Sequence, residues 1–398
     1  MHNLIDNVNH NQDWILIEDS AKLDLFFRDN KGIDWLAFDT EFIPERYYFN
    51  KLCLISIVTP ISNYIIDVIK LPHIPSFIKF LEDPSILKIT HAGENDYRIL
   101  ALEYHVRPRN IFDTQLSYGF LDFDYPLGLQ TIVEKELKTK ISKLEMRSDW
   151  EKRPLTQEQL KYAVSDVIHL YPLMNVLKQK LSHRKKLSWT MEESLRWEEP
   201  DYFDRDAAEC FADLPLRNLS KKQKIFLIRL HQWRHDEAAK TNCPLNDVLK
   251  TRHISTITKS IKSGKEALLN DRTLPDHILH QYWPHFHQLY HQEITEIEQC
   301  LLENLPPQEE GTPHAQVMME LLFQLVKMKA VKYYISPALL LPRREMNKMK
   351  ADDKYFPDFL ENGWRKELLG PDLLLWLKKR KRIDAEMDGY TCILKMSH

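Results

Sequence analysis

Trp35-Leu36-Ala37-Phe38-Asp39-Thr40-Glu41 is an apolar run closed by two carboxylates. Its pattern predicts a buried strand over 35–42. Side chains alternate along a strand, so Asp39 and Glu41 project from one face. Two like charges held together there repel, and burying them costs several kcal/mol without a counter-charge. A divalent cation supplies one. This constraint directs attention to further isolated acids that other elements deliver to the same point.

Around that strand the first half alternates in type. The runs Leu52–Val58 and Asn63–Val68, separated by Thr59-Pro60-Ile61-Ser62, predict a hairpin beside it. A helix is predicted over 74–81, a strand over 86–90, a helix over 94–104 and a short strand over 110–114. Such mixed order implies an α/β core, a sheet flanked by helices. Thr156 and Gln159 form a capping-box pattern ahead of a helix whose stripe is Leu160, Ala163, Val164, Val167 and Leu170. Pro172 should kink or interrupt it.

Two more acids stand out by context. Asp96, in His91-Ala92-Gly93-Glu94-Asn95-Asp96, follows a strand and a tight turn at Gly93, in the first turn of a helix whose dipole favours an anion. Asp166 lies four residues after Tyr162, which places phenol and carboxylate on one helix face. Each feature alone is more often a cap, a turn or surface packing. Together they suit chemistry on phosphodiesters: hard cations need oxygen ligands, and two ions about 4 Å apart stabilise both ends of an in-line displacement.

The bulk properties narrow the classes. With 398 residues, two or three domains are expected. No apolar run approaches the roughly 20 residues of a membrane span. The start of the chain shows no secretory signal. The five cysteines are scattered with no Cys-x-x-Cys pair, which argues for a reducing compartment and against structural zinc. Net charge is −3, but between Lys327 and Arg382 there are 15 Lys+Arg against 7 Asp+Glu. Beyond about Leu187 strand-like runs give way to helical spacing. Glu198-Glu199-Pro200-Asp201, Leu214-Pro215 and the Pro-rich stretch 303–313 are expected linkers. A faint echo pairs Trp233-Arg234 with Trp364-Arg365.

Phe38-Asp39-Thr40-Glu41-Phe42, His91-Ala92-Gly93-x-x-Asp96 and Tyr162-Ala163-x-x-Asp166 resemble the three motifs of the DEDD 3′→5′ exonucleases, and the tyrosine marks the DEDDy branch. Arg46-Tyr47-Tyr48, Leu52-x-Leu54-Ile55, Phe112-Asp113-Thr114-Gln115 and Arg147-Ser148-Asp149-Trp150-x-x-Arg153-Pro154-Leu155 are similar to the ribonuclease D family. Asn242-x-Pro244 with Trp233-Arg234, and Ile335-Ser336-Pro337 with Gly363-Trp364-Arg365, resemble that family's paired HRDC domains.

The resemblance implies an RNase H-like exonuclease core at 1–195, a linker at 196–214, all-α HRDC-like bundles at 215–298 and 299–385, and a tail at 386–398. It implies that Asp39, Glu41 and Asp166 bind one Mg²⁺ or Mn²⁺ ion and that Asp39 bridges to a second, which Asp96 holds. Tyr162 would position the attacking water. The implied enzyme is a cytoplasmic monomer without membrane contact, releasing nucleoside 5′-monophosphates from 3′ extensions of tRNA precursors and other small structured RNAs. Phe49-Asn50 and Ser56 depart from the family pattern near the expected path of the 3′ nucleotide. Asp113, a fifth tempting acid, is expected either to stand behind the metal ligands or to be structural. The helical half is either an appendage that stabilises the nuclease or a clamp on RNA through its basic segment. Two rivals are a DNA exonuclease, which the same carboxylates would serve, and a non-catalytic nucleic-acid binder, which predicts a lost ligand where none is lost.

Overall fold

The computed structural model describes residues 13–141, 148–199, 202–203, 211, 214–270, 274–305, 313–351, 355–379, 383–388 and 391–396. Arg147, the Pro-rich stretch 306–312 and the basic residues 380–382 lie outside them.

The first two hundred residues build a mixed sheet from β1 (Ile15–Ile17), β2 (Trp35–Ile43), β3 (Lys51–Val58), β4 (Asn63–Asp67), β5 (Leu87–Thr90) and β6 (Ile111–Asp113), in the order β1-β4-β3-β2-β5-β6. The expected hairpin is β3 with β4, antiparallel, with Ile55 opposite Ile66. β2 pairs in parallel with β5, and β5 with β6. Near-continuous burial of β3 and β4 explains their unbroken apolar runs, since both faces of the sheet are covered. Covering helices are α1 (Ser20–Asp29), α2 (Pro75–Glu82), α3 (Glu94–Tyr104), α4 (Thr114–Gly119), α5 (Leu129–Leu137), α6 (Gln157–Ser165), α7 (Leu170–His183) and α8 (Leu187–Leu195). Phe26, Phe38, Phe77 and Tyr97 are fully buried between sheet and helices. This is the expected α/β, RNase H-like exonuclease core.

Three local details differ from expectation. The capping box at Thr156 and Gln159 is present, but α6 stops at Ser165 and Asp166 is its C-cap. The break falls at 166–169, upstream of Pro172, which lies in the first turn of α7. A proline ring clashes with the carbonyl four residues earlier, so the chain leaves helix before reaching it. In the turn before α3 the positive φ belongs to Ala92 (57°). Gly93 serves close approach instead: a Cβ there would lie 2.6 Å from Thr90 Oγ1. Finally, residues 196–203, expected as linker, add Trp197 and Phe203 to the nuclease core.

The helical half repeats one pattern. α9 (Lys221–Thr241) is followed by left-handed Asn242 and the short α10 (Leu245–Val248), then α11 (Thr251–Ser260), α12 (Lys265–Leu269), α13 (Asp276–His291) and α14 (Glu296–Asn304). In the second piece α15 (Pro313–Tyr333) is followed by left-handed Tyr334 and the short α16 (Pro337–Leu340), then α17 (Arg343–Ala351) and α18 (Gly363–Lys379), kinked at Gly370. The opening helix of each piece is 21 residues long, and in both pieces the residue two past the left-handed one is the N-cap of the short helix. The Trp-Arg echo is therefore not the repeat. Trp233 lies on the first long helix of its piece and Trp364 on the last helix of the other.

Residues 383–396 hold a hairpin rather than a tail: β7 (Ile383–Asp388) pairs antiparallel with β8 (Thr391–Met396). The chain forms two compact units. One comprises Met1–Phe42, Leu52–Phe203 and Gly311–His398, the other Ile43–Lys51 and Asp204–Glu310. The second helical piece thus belongs to the nuclease unit and is not the separate body that its flanking linker suggests. Trp364 is 1% exposed and stacks edge-on against Phe120, and Arg365 pairs with Glu193 of α8.

Candidate active site

The end of β2 carries Asp39 and Glu41, and the C-cap of α6 carries Asp166. One carboxylate oxygen from each lies within 4.8 Å of the others. All three are half-buried, crowded by protein yet open to solvent. Asp96, in the first turn of α3, is buried beside them. Its Oδ1 accepts a short hydrogen bond from the Thr40 hydroxyl. Thr40 stands between the two acids in sequence, and this bond ties α3 to β2, a role invisible in the motif alone.

Burial and mutual repulsion set the electrostatics of the four acids. Burial, then the charges of Asp96, Glu41 and Asp166, push Asp39 well above the usual carboxylate range. Burial, Asp166 and Asp96 push Glu41 up to about 9. Burial raises Asp96 to about 7 against the opposing pull of Thr40, and raises Asp166 to about 6. Tyr162, on α6, lies beside Asp166. Burial and the neighbouring carboxylates hold its phenol far above its ordinary value, so it remains protonated.

The scaffold around the acids is closely tied. Asp113 accepts from Thr90 Oγ1 (3.0 Å), Gly93 N (2.9 Å) and Leu116 N (2.8 Å). Those bonds fasten the turn that launches α3, the structural one of the two roles expected of Asp113. His91 Nδ1 lies 2.9 Å from Thr114 Oγ1, and its Nε2 lies 3.1 Å from Leu127 O. Ahead of α6, Arg153 grips buried Asp67 with Nε at 2.7 Å and Nη2 at 2.6 Å. It also donates to Trp150 O at 2.6 Å, and the Trp150 ring lies against Tyr162 at 5.9 Å. Asp67 escapes sequence reading because it sits 86 residues from its partner.

An all-oxygen donor set of this charge fits hard divalent cations and offers soft metals neither sulfur nor nitrogen. It has a consequence for stability. Carboxyl groups whose folded values are raised favour the folded state at low pH, and that contribution is lost as pH rises through the folded values. In EDTA, Glu41→Gln should match wild type near pH 4 and become progressively more thermostable than it up to about pH 9. Mn²⁺ should raise the wild-type Tm most at the alkaline end, because at lower pH the ion must displace protons. A wild-type advantage that grows with pH in EDTA would contradict this electrostatic picture. Differential scanning fluorimetry reads both.

A family profile described as 3′-5′ exonuclease matches residues 14–182. The ribonuclease D of Shewanella sp. (strain ANA-3) is 31% identical over 269 residues, which cover 66% of this chain and 69% of that protein. The ribonuclease D of Pseudomonas paraeruginosa (strain DSM 24068 / PA7) is 27% identical over 90% of this chain and 96% of its own length. The crystal structure of Escherichia coli RNase D superposes with a TM-score of 0.78 at 24% identity, covering 91% of this chain and 98% of that one, and so shares the fold. Together with an acidic centre that lies within the span of that profile, these matches lead to one assignment: the chain belongs to the ribonuclease D family and is a hydrolytic 3′→5′ exoribonuclease.

Proposed function

We propose that the protein trims 3′ extensions of tRNA precursors and other small structured RNAs, releasing nucleoside 5′-monophosphates one at a time with two bound divalent cations, Mg²⁺ or Mn²⁺. The observation that carries this reading is the convergence of Asp39, Glu41 and Asp166 beside buried Asp96 and protonated Tyr162. Asp39, Glu41 and Asp166 would hold one ion, and Asp39 and Asp96 the other. Bound cations of this kind neutralise developing charge and lower the pKa of the attacking water. Tyr162, kept protonated, orients that water without acting as a base, and Trp150 and Asp166 fix its ring. Thr40 holds Asp96 in place. The Escherichia coli enzyme is described as an exoribonuclease involved in structured RNA processing, which supports the substrate class. The two helical pieces are read as HRDC-like RNA-binding modules acting with the core in the cytoplasm, in a monomer. Among the described residues no helix is long and apolar enough to cross a membrane.

Matched RNA and DNA single strands, labelled at the 5′ end and incubated with Mn²⁺, test the proposal. The expected result is stepwise shortening of RNA from its 3′ end, with 5′-monophosphates as the product and DNA at least about tenfold slower. Comparable rates on DNA would overturn the RNA reading. A wild-type protein that binds RNA and releases no nucleotide would overturn the catalytic one.

A further inference from the structure

Two aromatic rings and a guanidinium stand together on the surface of the nuclease unit, and the hydrolytic site uses none of them. Phe123, in the loop after α4, is 40% exposed, and Tyr334, directly after α15, is 60% exposed. Their rings stack with centroids 5.8 Å apart and planes at 29°. The Arg184 guanidinium lies 5.7 Å from the Tyr334 centroid. Arg184 is itself held by donating to Leu121 O at 3.0 Å, and Lys185 beside it is exposed.

The backbone under Tyr334 is left-handed, as it is at Lys185 beside Arg184. At Tyr334 φ is 53°, a left-handed conformation that a bulky residue adopts only at a cost. The corresponding position in the first helical piece is Asn242, φ 48°, a residue type that tolerates it. Buried Lys186 fixes the tyrosine by donating to Tyr334 O at 2.9 Å and to Phe120 O at 2.8 Å. A strained, anchored backbone here displays a ring to solvent rather than burying it. Packing alone accounts poorly for that, since burial is what stabilises large aromatic side chains.

The neighbouring charge suits a polyanion. Asp122 is engaged by the Tyr118 hydroxyl at 2.8 Å and by Lys135 at 3.6 Å, and exposed Asp124 lies 4.0 Å from the same lysine. Lys135 is shared by the two acids and offsets one of them, while Arg184 at the Tyr334 ring and exposed Lys185 next to it in the chain tip the local balance to positive.

We infer that Phe123, Tyr334 and Arg184 form a stacking platform for an unpaired base of the RNA, outside the hydrolytic site, with Lys185 near the adjoining phosphate. Aromatic faces stack bases with little sequence preference, and a cation over the ring strengthens the contact. The inference rests on the RNA reading above and adds a second point of attachment that only longer substrates reach.

Steady-state hydrolysis of single-stranded RNAs of 4 and 24 nucleotides tests it. Tyr334→Asn removes the ring and keeps a residue suited to the backbone, and it is combined with Phe123→Ala. The double variant should raise KM for the 24-mer about tenfold, leave kcat unchanged, and leave both constants unchanged for the 4-mer. Tyr334→Phe should behave as wild type, and Arg184→Gln should weaken the salt dependence of 24-mer KM. Equal losses on both lengths would reduce the rings to structural packing, and no change on either would refute the platform. If wild type releases no nucleotide from either RNA, the activity reading fails separately. Fluorescence anisotropy of the 24-mer with the same variants then still decides the platform.

Discussion

Asp39→Asn is expected to cut nucleotide release by on the order of 10³–10⁴-fold while the protein stays folded and retains RNA. The size follows from removing the carboxylate assigned to both cations: several kcal/mol of charge stabilisation correspond to three or four decades in rate. The substitution is nearly isosteric and removes one of the mutually repelling charges that hold Asp39 and Glu41 so far above ordinary carboxylates. The metal-free variant should therefore melt higher than metal-free wild type at pH 8, and its Mn²⁺-induced Tm shift should shrink. Tyr162→Phe should lose only about 10²-fold in kcat, with the metal shift intact, because the role proposed for its phenol is to orient water and not to hold a cation. A rate loss for Asp39→Asn no larger than that for Tyr162→Phe would remove Asp39 from its central position.

Legibility in the sequence tracked locality. The Asp-x-Glu pair, the capping box at Thr156 and the first-turn position of Asp96 each rest on spacings of two to four residues, which period and cap chemistry determine directly. The break between α6 and α7 was only half legible. Pro172 announces it, but its displacement to 166–169 depends on the carbonyl that the ring would strike. The positive φ at Ala92 was illegible because Gly93 beside it is the residue that ordinarily takes that role. Here Gly93 is needed for contact with Thr90 and Asp113, and strain falls on its neighbour. Tyr334 is the same lesson at a second site. Nothing in residue type marks a tyrosine for left-handed backbone, and only comparison with Asn242 in the repeated helical pattern exposes it. The β7–β8 hairpin sits in a stretch whose basic approach and short length draw attention away from its alternating residues.

The largest effect on stability is expected at a contact 172 residues long in sequence, which no local pattern reveals. Arg365 donates from Nη2 to Glu193 Oε1 at 2.9 Å and from Nη1 to Oε2, and also reaches Leu339 O at 2.8 Å. Trp364 Nε1 donates to the same carboxylate at 3.0 Å. Both charges are buried, at 4% and 8% exposure. Burial alone would raise Glu193, but the Arg365 hydrogen bonds and charge outweigh it and leave the carboxyl below its ordinary value. Arg365→Ala leaves the buried carboxylate with only the more exposed Arg196, at 2.8 Å, as its cation, and should cost about 3 kcal/mol in urea unfolding. Arg365→Met combined with Glu193→Leu should recover part of that loss, because a matched apolar pair replaces the two buried charges while Arg196 and Trp364 Nε1 lose the carboxylate they share. The depressed value also fixes the pH sense: the contribution is present at neutral pH and is lost as pH falls through the folded value, so the wild-type advantage over the double variant should shrink under acid. If Arg365→Ala unfolds with the wild-type midpoint, residues 311–398 are a loosely attached module. The contact also changes how a clamp must be tested. Truncation near residue 300 removes Trp364 and Arg365 together, uncovers Phe120 and takes from Glu193 its buried cation, so activity on short and long RNAs would fall alike for reasons of folding. Point substitutions on the surface of the second helical piece separate RNA binding from that collapse.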